Sequence, residues 1–365
     1  MNPFTIFILL PSFANGGAER VTLSLIENLD KNTFDYFLLM QNIDGPLECN
    51  ISKSKIINLN ASKFRYSLFN LVKKINEKKP KVILSTFPHI TIFLLIFKKL
   101  FFPKTLLIAR EPNMPSISLL HIPNSLIYRN LYKICMPAID GVIASSTAMK
   151  KELIIKGIDK RKISIISNPI NFKRIRYFKK TQRHKGKGLR IIFVGRLVYQ
   201  KGLDRILPFL NDIQNIHLTI IGEGKEKNNL MKIIQEKQIL DKVNFLGQVS
   251  FPYAYMAGAD YLILPSRWEG LPNVVLESLT LGTPVIAMEE ISGLKDLNIN
   301  ILNKSLMMCK DIEEMFNLLT NLPVRKDFKN PKLRVSLLKI YNTQMSYARK
   351  VSNFIKEIIY ANKKN

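Results

Sequence analysis

Short apolar runs alternate with amphipathic stretches from one end of the chain to the other. In the first half the runs fall at residues 5–10, 36–40, 81–85, 105–109, 141–144 and 163–166, and they read as strands. Apolar residues three and four apart predict helices near 18–29, 66–77 and 148–156. In the second half strands fit at 190–194, 218–221, 243–246, 261–264 and 284–287, with helices between them. Alternation of strand and helix argues for a parallel sheet with helices on both faces. The pattern therefore predicts an α/β fold. Its appearance twice predicts two Rossmann-like, doubly wound halves.

Length agrees, because 365 residues exceed what one hydrophobic core usually organises. The break falls at 171–189. Residues 172–190 carry nine Lys or Arg and no acid, and this stretch reads as a solvated basic linker.

Residues 264–277 read Leu-Pro-Ser-Arg-Trp-Glu-Gly-Leu-Pro-Asn-Val-Val-Leu-Glu and say the most about chemistry. A strand runs into a Gly/Pro loop, and a helix starts near Asn273. Glu269 sits on the loop. Glu277, eight positions on, lies in the first turns of the helix. The amino end of a helix offers N–H groups and a partial positive charge, which suits a phosphate. Carboxylates beside a phosphate would repel it, but they can accept hydrogen bonds from hydroxyls on either side. A nucleotide sugar has that order of groups: ribose hydroxyls, a diphosphate, then sugar hydroxyls.

Two further strand ends carry candidate groups. The strand at 5–10 leads to Gly16 and Gly17, an adjacent pair where backbone can approach a ligand closely. A plain tight turn is the other reading. The strand at 190–194 ends at Gly195, so Arg196 emerges at the carboxyl edge, where open α/β sheets bind ligands. Lys201 follows five positions later. An arginine fork with a lysine point charge would clamp a diphosphate.

The 264–277 stretch resembles the E-x7-E signature of glycosyltransferase family 4, the retaining GT-B enzymes, and the likeness continues to Ala287 through Gly282-Thr283-Pro284. Gly16-Gly17-Ala18-Glu19-Arg20 resembles the family's N-terminal signature. Gly195-Arg196-Leu197 with Lys201-Gly202 resembles its G-R-L … K-G element, and Ile221-Gly222-Glu223-Gly224 a loop near the base. The resemblance implies two domains around a cleft: 1–170 on the acceptor side and 190–340 for the nucleotide sugar. Within 341–365, a helix near 347–360 would cross back onto the first domain. Arg196 and Lys201 would hold the donor diphosphate, Glu269 would contact the sugar and Glu277 the ribose. Gly16 and Gly17 would lie against the donor. Gly195, Gly270 and Leu271 would line its site, and amides near Asn273 and Val274 would add phosphate contacts. The implied reaction moves a hexosyl or N-acetylhexosaminyl group from a nucleoside-diphosphate sugar, with uridine as the base, and retains the anomeric configuration. The implied acceptor is a hydroxyl of a growing surface glycan, including one on a polyprenyl diphosphate carrier.

The chain departs from the family in two places. In Arg110-Glu111-Pro112-Asn113, Pro112 stands where many relatives have a histidine. Glu111 and Asn113 line the acceptor side or serve a helix start; both readings stand. Leu294 and Asp296 replace a Gly and a Glu, which implies altered donor contacts.

There is no D-x-D and no metal-ligand spacing, so no metal or other cofactor is expected. Three widely spaced cysteines fit buried thiols in a reducing compartment, which points to the cytoplasm. The net charge of +27, from 55 Lys+Arg against 28 Asp+Glu, asks for an anionic partner. Stretches 63–81 and 90–107 mix cations with Phe, Tyr and Leu. They suit the inner face of a membrane, or else ordinary helices, apolar inward and basic outward. No apolar run approaches the roughly 20 residues of a spanning helix. The rival functions are sugar-nucleotide binding without turnover and nucleic-acid binding, the latter on charge alone.

Overall fold

The computed structural model describes residues 2–14, 16–45, 47, 49–176, 188–297, 305–324 and 342–363. The chain divides into two units: Met1–Pro169 with Asn342–Asn365, and Ile170–Tyr341.

In the first unit, strands β1 (Phe4–Leu10), β2 (Phe34–Met40), β3 (Ile56–Asn58), β4 (Val82–Ser85), β5 (Leu106–Arg110), β6 (Gly141–Ala144) and β7 (Ile163–Ile165) form one sheet. Their order is β3-β2-β1-β4-β5-β6-β7, parallel throughout. Side chains alternate across a strand. In β1, Ile6, Ile8 and Leu10 enter one core, while Phe7 and Leu9 enter the other. All five are fully buried, each contributing about 1.5–3 kcal/mol relative to exposure. Helices Gly17–Glu27 and Gln344–Ala361 cover the first face and pack on each other. The last helix contributes Tyr347, Val351, Ile355 and Ile359, four apart and buried. Just before it, Asn342 Nδ2 donates to the Ser167 carbonyl at 2.8 Å. Helices Leu68–Lys78, Pro88–Phe101, Ser125–Cys135 and Thr147–Ile155 cover the second face.

The second unit has β8 (Leu189–Val194), β9 (Ile216–Ile221), β10 (Val243–Gly247), β11 (Tyr261–Leu264), β12 (Val285–Met288) and β13 (Leu306–Cys309), ordered β10-β9-β8-β11-β12-β13. These pairs are also parallel. In both sheets the order reverses beside the first strand: between β1 and β4, and between β8 and β11. Such a reversal is where open α/β sheets bind ligands, at the carboxyl ends of the strands.

Among the described residues, strands β3 and β13 and the long helices Pro88–Phe101 and Ser125–Cys135 were not expected. β3 and β13 are short edge strands with half-buried residues, so their apolar pattern is weak. Helix Pro88–Phe101 starts on a proline, which suits a first helical turn, and it is apolar almost all round, which hid its period. Helix Ser125–Cys135 exposes three large apolar residues, which blurs the same signal. The start of the expected solvated linker is packed instead. Phe172–Arg176 is helical, with Phe172 and Ile175 buried in the second unit. Residues 177–187, the rest of that basic run, lie outside the described residues.

Among the described residues no helix is long and apolar enough to cross a membrane. Cys309 is buried, and burial pushes its thiol up to about 12. Cys49 and Cys135 are only half-buried, less than the expected burial of all three.

Candidate functional site

The site grows from the reversal in the second unit. β8 and β11 are hydrogen-bonded neighbours, so the loops at their carboxyl ends leave the sheet side by side. The β8 loop carries Gly195 and Arg196, then a turn at Tyr199–Lys201. The β11 loop runs from Pro265 to Pro272 and enters helix Asn273–Leu281.

Several contacts stitch the loops together. The Arg267 amide donates to the Gln200 carbonyl at 2.8 Å. The Gln200 side-chain amide donates to the Trp268 carbonyl at 2.9 Å. Arg267 forks onto both Asp204 oxygens, at 2.8 and 2.6 Å, and donates to the Tyr199 carbonyl at 2.7 Å. Its guanidinium carbon stands 3.8 Å from the Tyr199 ring centre, a cation–π contact. None of these partners was singled out from the sequence.

The stitching brings two predicted residues into contact. Lys201 Nζ is ion-paired with Glu269 Oε1. Ser266 Oγ lies 3.2 Å from the same carboxylate oxygen. Glu269 is buried and Lys201 nearly so, which weakens screening of the pair. Arg196, on the same loop, is exposed and makes no ion pair among the described residues.

Downstream, Gly270 and Leu271 are buried, and Asn273 and Val274 form the first turn of helix Asn273–Leu281. The first amides of a helix have no acceptor within it and carry its positive dipole end. Glu277 is half-buried on this helix, and Tyr253 Oη donates to its Oε1 at 3.3 Å. Tyr253 comes from the short helix after β10 and is buried, so it orients that carboxylate from a different element.

Two glycines show why the surrounding loops have their sequence. Gly222 has φ +145°, and a Cβ there would fall 1.9 Å from the Gly195 carbonyl oxygen. The Gly222–Gly224 turn therefore packs the β9 loop against the β8 loop. In the loop after β12, a Cβ on Gly293 would fall 2.1 Å from the Gly270 carbonyl oxygen. Bare backbone at 293 backs the segment that follows Glu269. Leu294, the departure beside it, is fully buried.

Gly16, Gly17, Glu111 and Asn113 belong to the first unit. Gly16 is the N-cap of helix Gly17–Glu27. Glu19 folds back on it, with Oε2 only 2.2 Å from where a Gly16 Cβ would stand. Gly16 thus makes room for the helix-start acid, which is itself buried. Glu111, at the end of β5, is buried and accepts from Tyr132 Oη at 3.0 Å. It serves no helix start. The next helix, Pro115–Ser118, has its Ser116 amide and hydroxyl taken by Glu152. Burial pushes the Glu111 carboxyl up to about 8, against the opposing pull of Tyr132. Asn113 is half-buried in the intervening turn.

The second unit therefore offers a lysine–carboxylate pair, an exposed arginine, a helix amino end and a second oriented carboxylate along one sheet edge. Positive groups suit phosphate oxygens and carboxylates suit hydroxyls. No group of three or more His, Cys, Asp or Glu that could hold a metal ion occurs among the described residues.

Comparison with known proteins follows the same division. The family profile "Glycosyltransferase Family 4" matches residues 15–174, and "Glycosyl transferases group 1" matches residues 175–328. The N-acetylgalactosamine-N,N'-diacetylbacillosaminyl-diphospho-undecaprenol 4-alpha-N-acetylgalactosaminyltransferase of Campylobacter jejuni is 28% identical, over 80% of this chain and 82% of its own length. The amylovoran biosynthesis glycosyltransferase AmsD of Erwinia amylovora is 24% identical, over 78% and 81%. Among solved structures, Anabaena HepE in complex with UDP and glucose superposes with a TM-score of 0.75 at 16% identity, covering 97% of this chain and 100% of that one. At that identity the likeness speaks to fold alone.

Proposed function

Because this chain belongs to glycosyltransferase family 4, with the GT-B fold, we propose that it moves a hexosyl or N-acetylhexosaminyl group from a uridine-diphosphate sugar to a hydroxyl of a growing bacterial surface glycan. The anomeric configuration is retained. The observation that carries this reading is the Lys201–Glu269 pair at the strand-order reversal, one loop away from the helix that presents Glu277. The relatives' names support the substrate class: one acts on a diphospho-undecaprenol-linked saccharide and the other serves amylovoran biosynthesis. A uridine donor is supported by the UDP held in HepE.

In this reading Glu277 binds the ribose, and Arg196, Lys201 and the amino end of helix Asn273–Leu281 meet the diphosphate. Glu269 accepts from a sugar hydroxyl while it orients Lys201. The bond between the anomeric carbon and the β-phosphate oxygen breaks, and its electron pair leaves on the nucleoside diphosphate. The acceptor hydroxyl oxygen forms the new bond on the same face, and its proton passes to the departing β-phosphate oxygen. Fixed cations aimed at the growing negative charge lower the barrier, because they need no reorganisation as it develops. In the first unit, Gly16 and Gly17 offer bare backbone to a ligand, and Glu111 and Asn113 stand on the acceptor side. The enzyme works at the cytoplasmic face of the membrane, where a polyprenyl diphosphate acceptor would be anchored.

Calorimetric titration of folded protein with a panel of nucleotide sugars tests the proposal. Binding of one uridine-diphosphate sugar, abolished in Arg196→Ala/Lys201→Ala, is the expected result. No binding to any member of the panel would overturn it.

A further inference from the structure

The short helix Tyr253–Gly258 packs beside helix Asn273–Leu281. The Thr283 hydroxyl, just past the longer helix, donates to the Met256 carbonyl in the shorter one at 2.8 Å. The Ser278 hydroxyl donates in turn to the Thr283 carbonyl at 2.9 Å, which ties that turn to the helix it follows. Beyond the short helix, Asp260 receives the Arg190 fork at 2.9 and 3.0 Å, and this pins the chain to β8. Tyr253 therefore stands on a fixed element, with its ring buried in the core of the second unit. Phenylalanine would fill the same space. The hydroxyl is what tyrosine adds, and a buried tyrosine hydroxyl calls for a partner. Its Oη meets Glu277 Oε1 at 3.3 Å.

The last torsion of a glutamate is broad and twofold rather than staggered, so the plane of its two oxygens turns easily. A donor fixed by the core removes that freedom. The plane matters most to a ligand with two neighbouring hydroxyls, which can both donate to one carboxylate only when its oxygens face them together. A ligand with a single hydroxyl can follow a carboxylate that swings. The paired hydroxyls of a ribose are the first kind, and a deoxyribose is the second. We propose that Tyr253 is a positioning residue that makes the second unit select ribonucleotide over 2′-deoxyribonucleotide donors, acting through Glu277. This rests on the reading that Glu277 meets the ribose, and adds the residue that sets the selectivity. A site built around a hydroxyl rejects the analogue lacking it, because its own polar group is then left unsatisfied.

The test is calorimetric titration of the full chain with uridine diphosphate and with 2′-deoxyuridine diphosphate. Wild type is expected to prefer the ribonucleotide by at least about tenfold. Tyr253→Phe keeps the buried ring. It should cut that preference about threefold to tenfold, the worth of one such hydrogen bond, and leave affinity for the deoxy compound within a factor of about two. Glu277→Gln changes a half-buried residue and spares the core. It should lose the preference too, and adding Tyr253→Phe should change nothing further. In turnover, Tyr253→Phe should raise KM for the nucleotide sugar with kcat unchanged, the pattern of lost uniform binding. Equal losses for both diphosphates would make Tyr253 a packing residue and overturn the inference. A wild type that binds both alike would overturn it as well, and either result leaves the donor reading standing. Failure of the folded protein to bind either diphosphate would overturn both.

Discussion

Lys201 and Glu269, 68 residues apart, are ion-paired across two loops that leave neighbouring strands. The fold itself brings the two charges together, so the charges of the proposed donor site are arranged by the loops that carry them. Pre-set charge is what lets a site stabilise a leaving group at little cost in reorganisation.

Lys201→Met should lower kcat/KM by roughly a hundredfold to a thousandfold, the usual effect of removing one stabilising donor. Glu269→Gln should also lose activity, and the double variant should lose far less than the product of the two. Lys201→Met also leaves a buried carboxylate unpaired, at a cost of about 3 kcal/mol in urea unfolding. Independent, multiplying losses would mean that the two residues do not act as a unit.

Arg267 and Asp204 are positioning residues: they hold the loops that carry the pair. Arg267→Lys keeps the charge and loses the fork. It should cost roughly tenfold to a hundredfold in kcat/KM. Asp204→Asn should match it, and the combination should add little. A fall in melting temperature with untouched kinetics would assign them to stability alone.

Glu111 sets a pH dependence that can be measured apart from activity. Burial raises its carboxyl from 4.5 to about 8. Between those values the folded chain keeps a proton that the unfolded chain has released. Its stabilising contribution is therefore full below about pH 4.5 and lost as pH rises toward 8. One proton corresponds to a slope of at most about 1.4 kcal/mol per pH unit. Glu111→Gln should remove that part of the slope in urea unfolding followed between about pH 6 and about pH 8. An identical slope in the variant would show that Glu111 does not hold the proton.

Gly293→Ala places a methyl against the Gly270 carbonyl. Overpacking of this kind typically costs about 1–3 kcal/mol. Donor affinity should fall as well, because the displaced segment adjoins Glu269. Undiminished donor binding would mean that the loop after β12 does not support the site.

Most of the fold was legible because parallel strands buried on both faces have no choice but to be apolar. Ile6 to Leu10 and Tyr261 to Leu264 announce themselves for that reason. Helix Ser125–Cys135 escaped because its exposed Leu126, Ile127 and Ile134 break the polar side of the pattern. In the proposed site, Lys201 and Glu269 stood out on their loops and Glu277 in the helix that follows. Their partners did not. Arg267–Asp204, Gln200–Trp268 and Tyr253–Glu277 join residues on different elements, and their meeting depends on strand order. The Glu111 outcome was hidden likewise, since burial against Tyr132 is a tertiary fact.

Helix Gln344–Ala361 supplies Tyr347, Val351, Ile355 and Ile359 to the core of the unit that begins the chain. A ribosome delivers those residues after every strand of both sheets has emerged. The portion synthesised first is thus completed last, and until then helix Gly17–Glu27 covers only part of the first face. Shortening the protein from its carboxyl end would strip the amino-terminal unit while sparing the one nearer the cut.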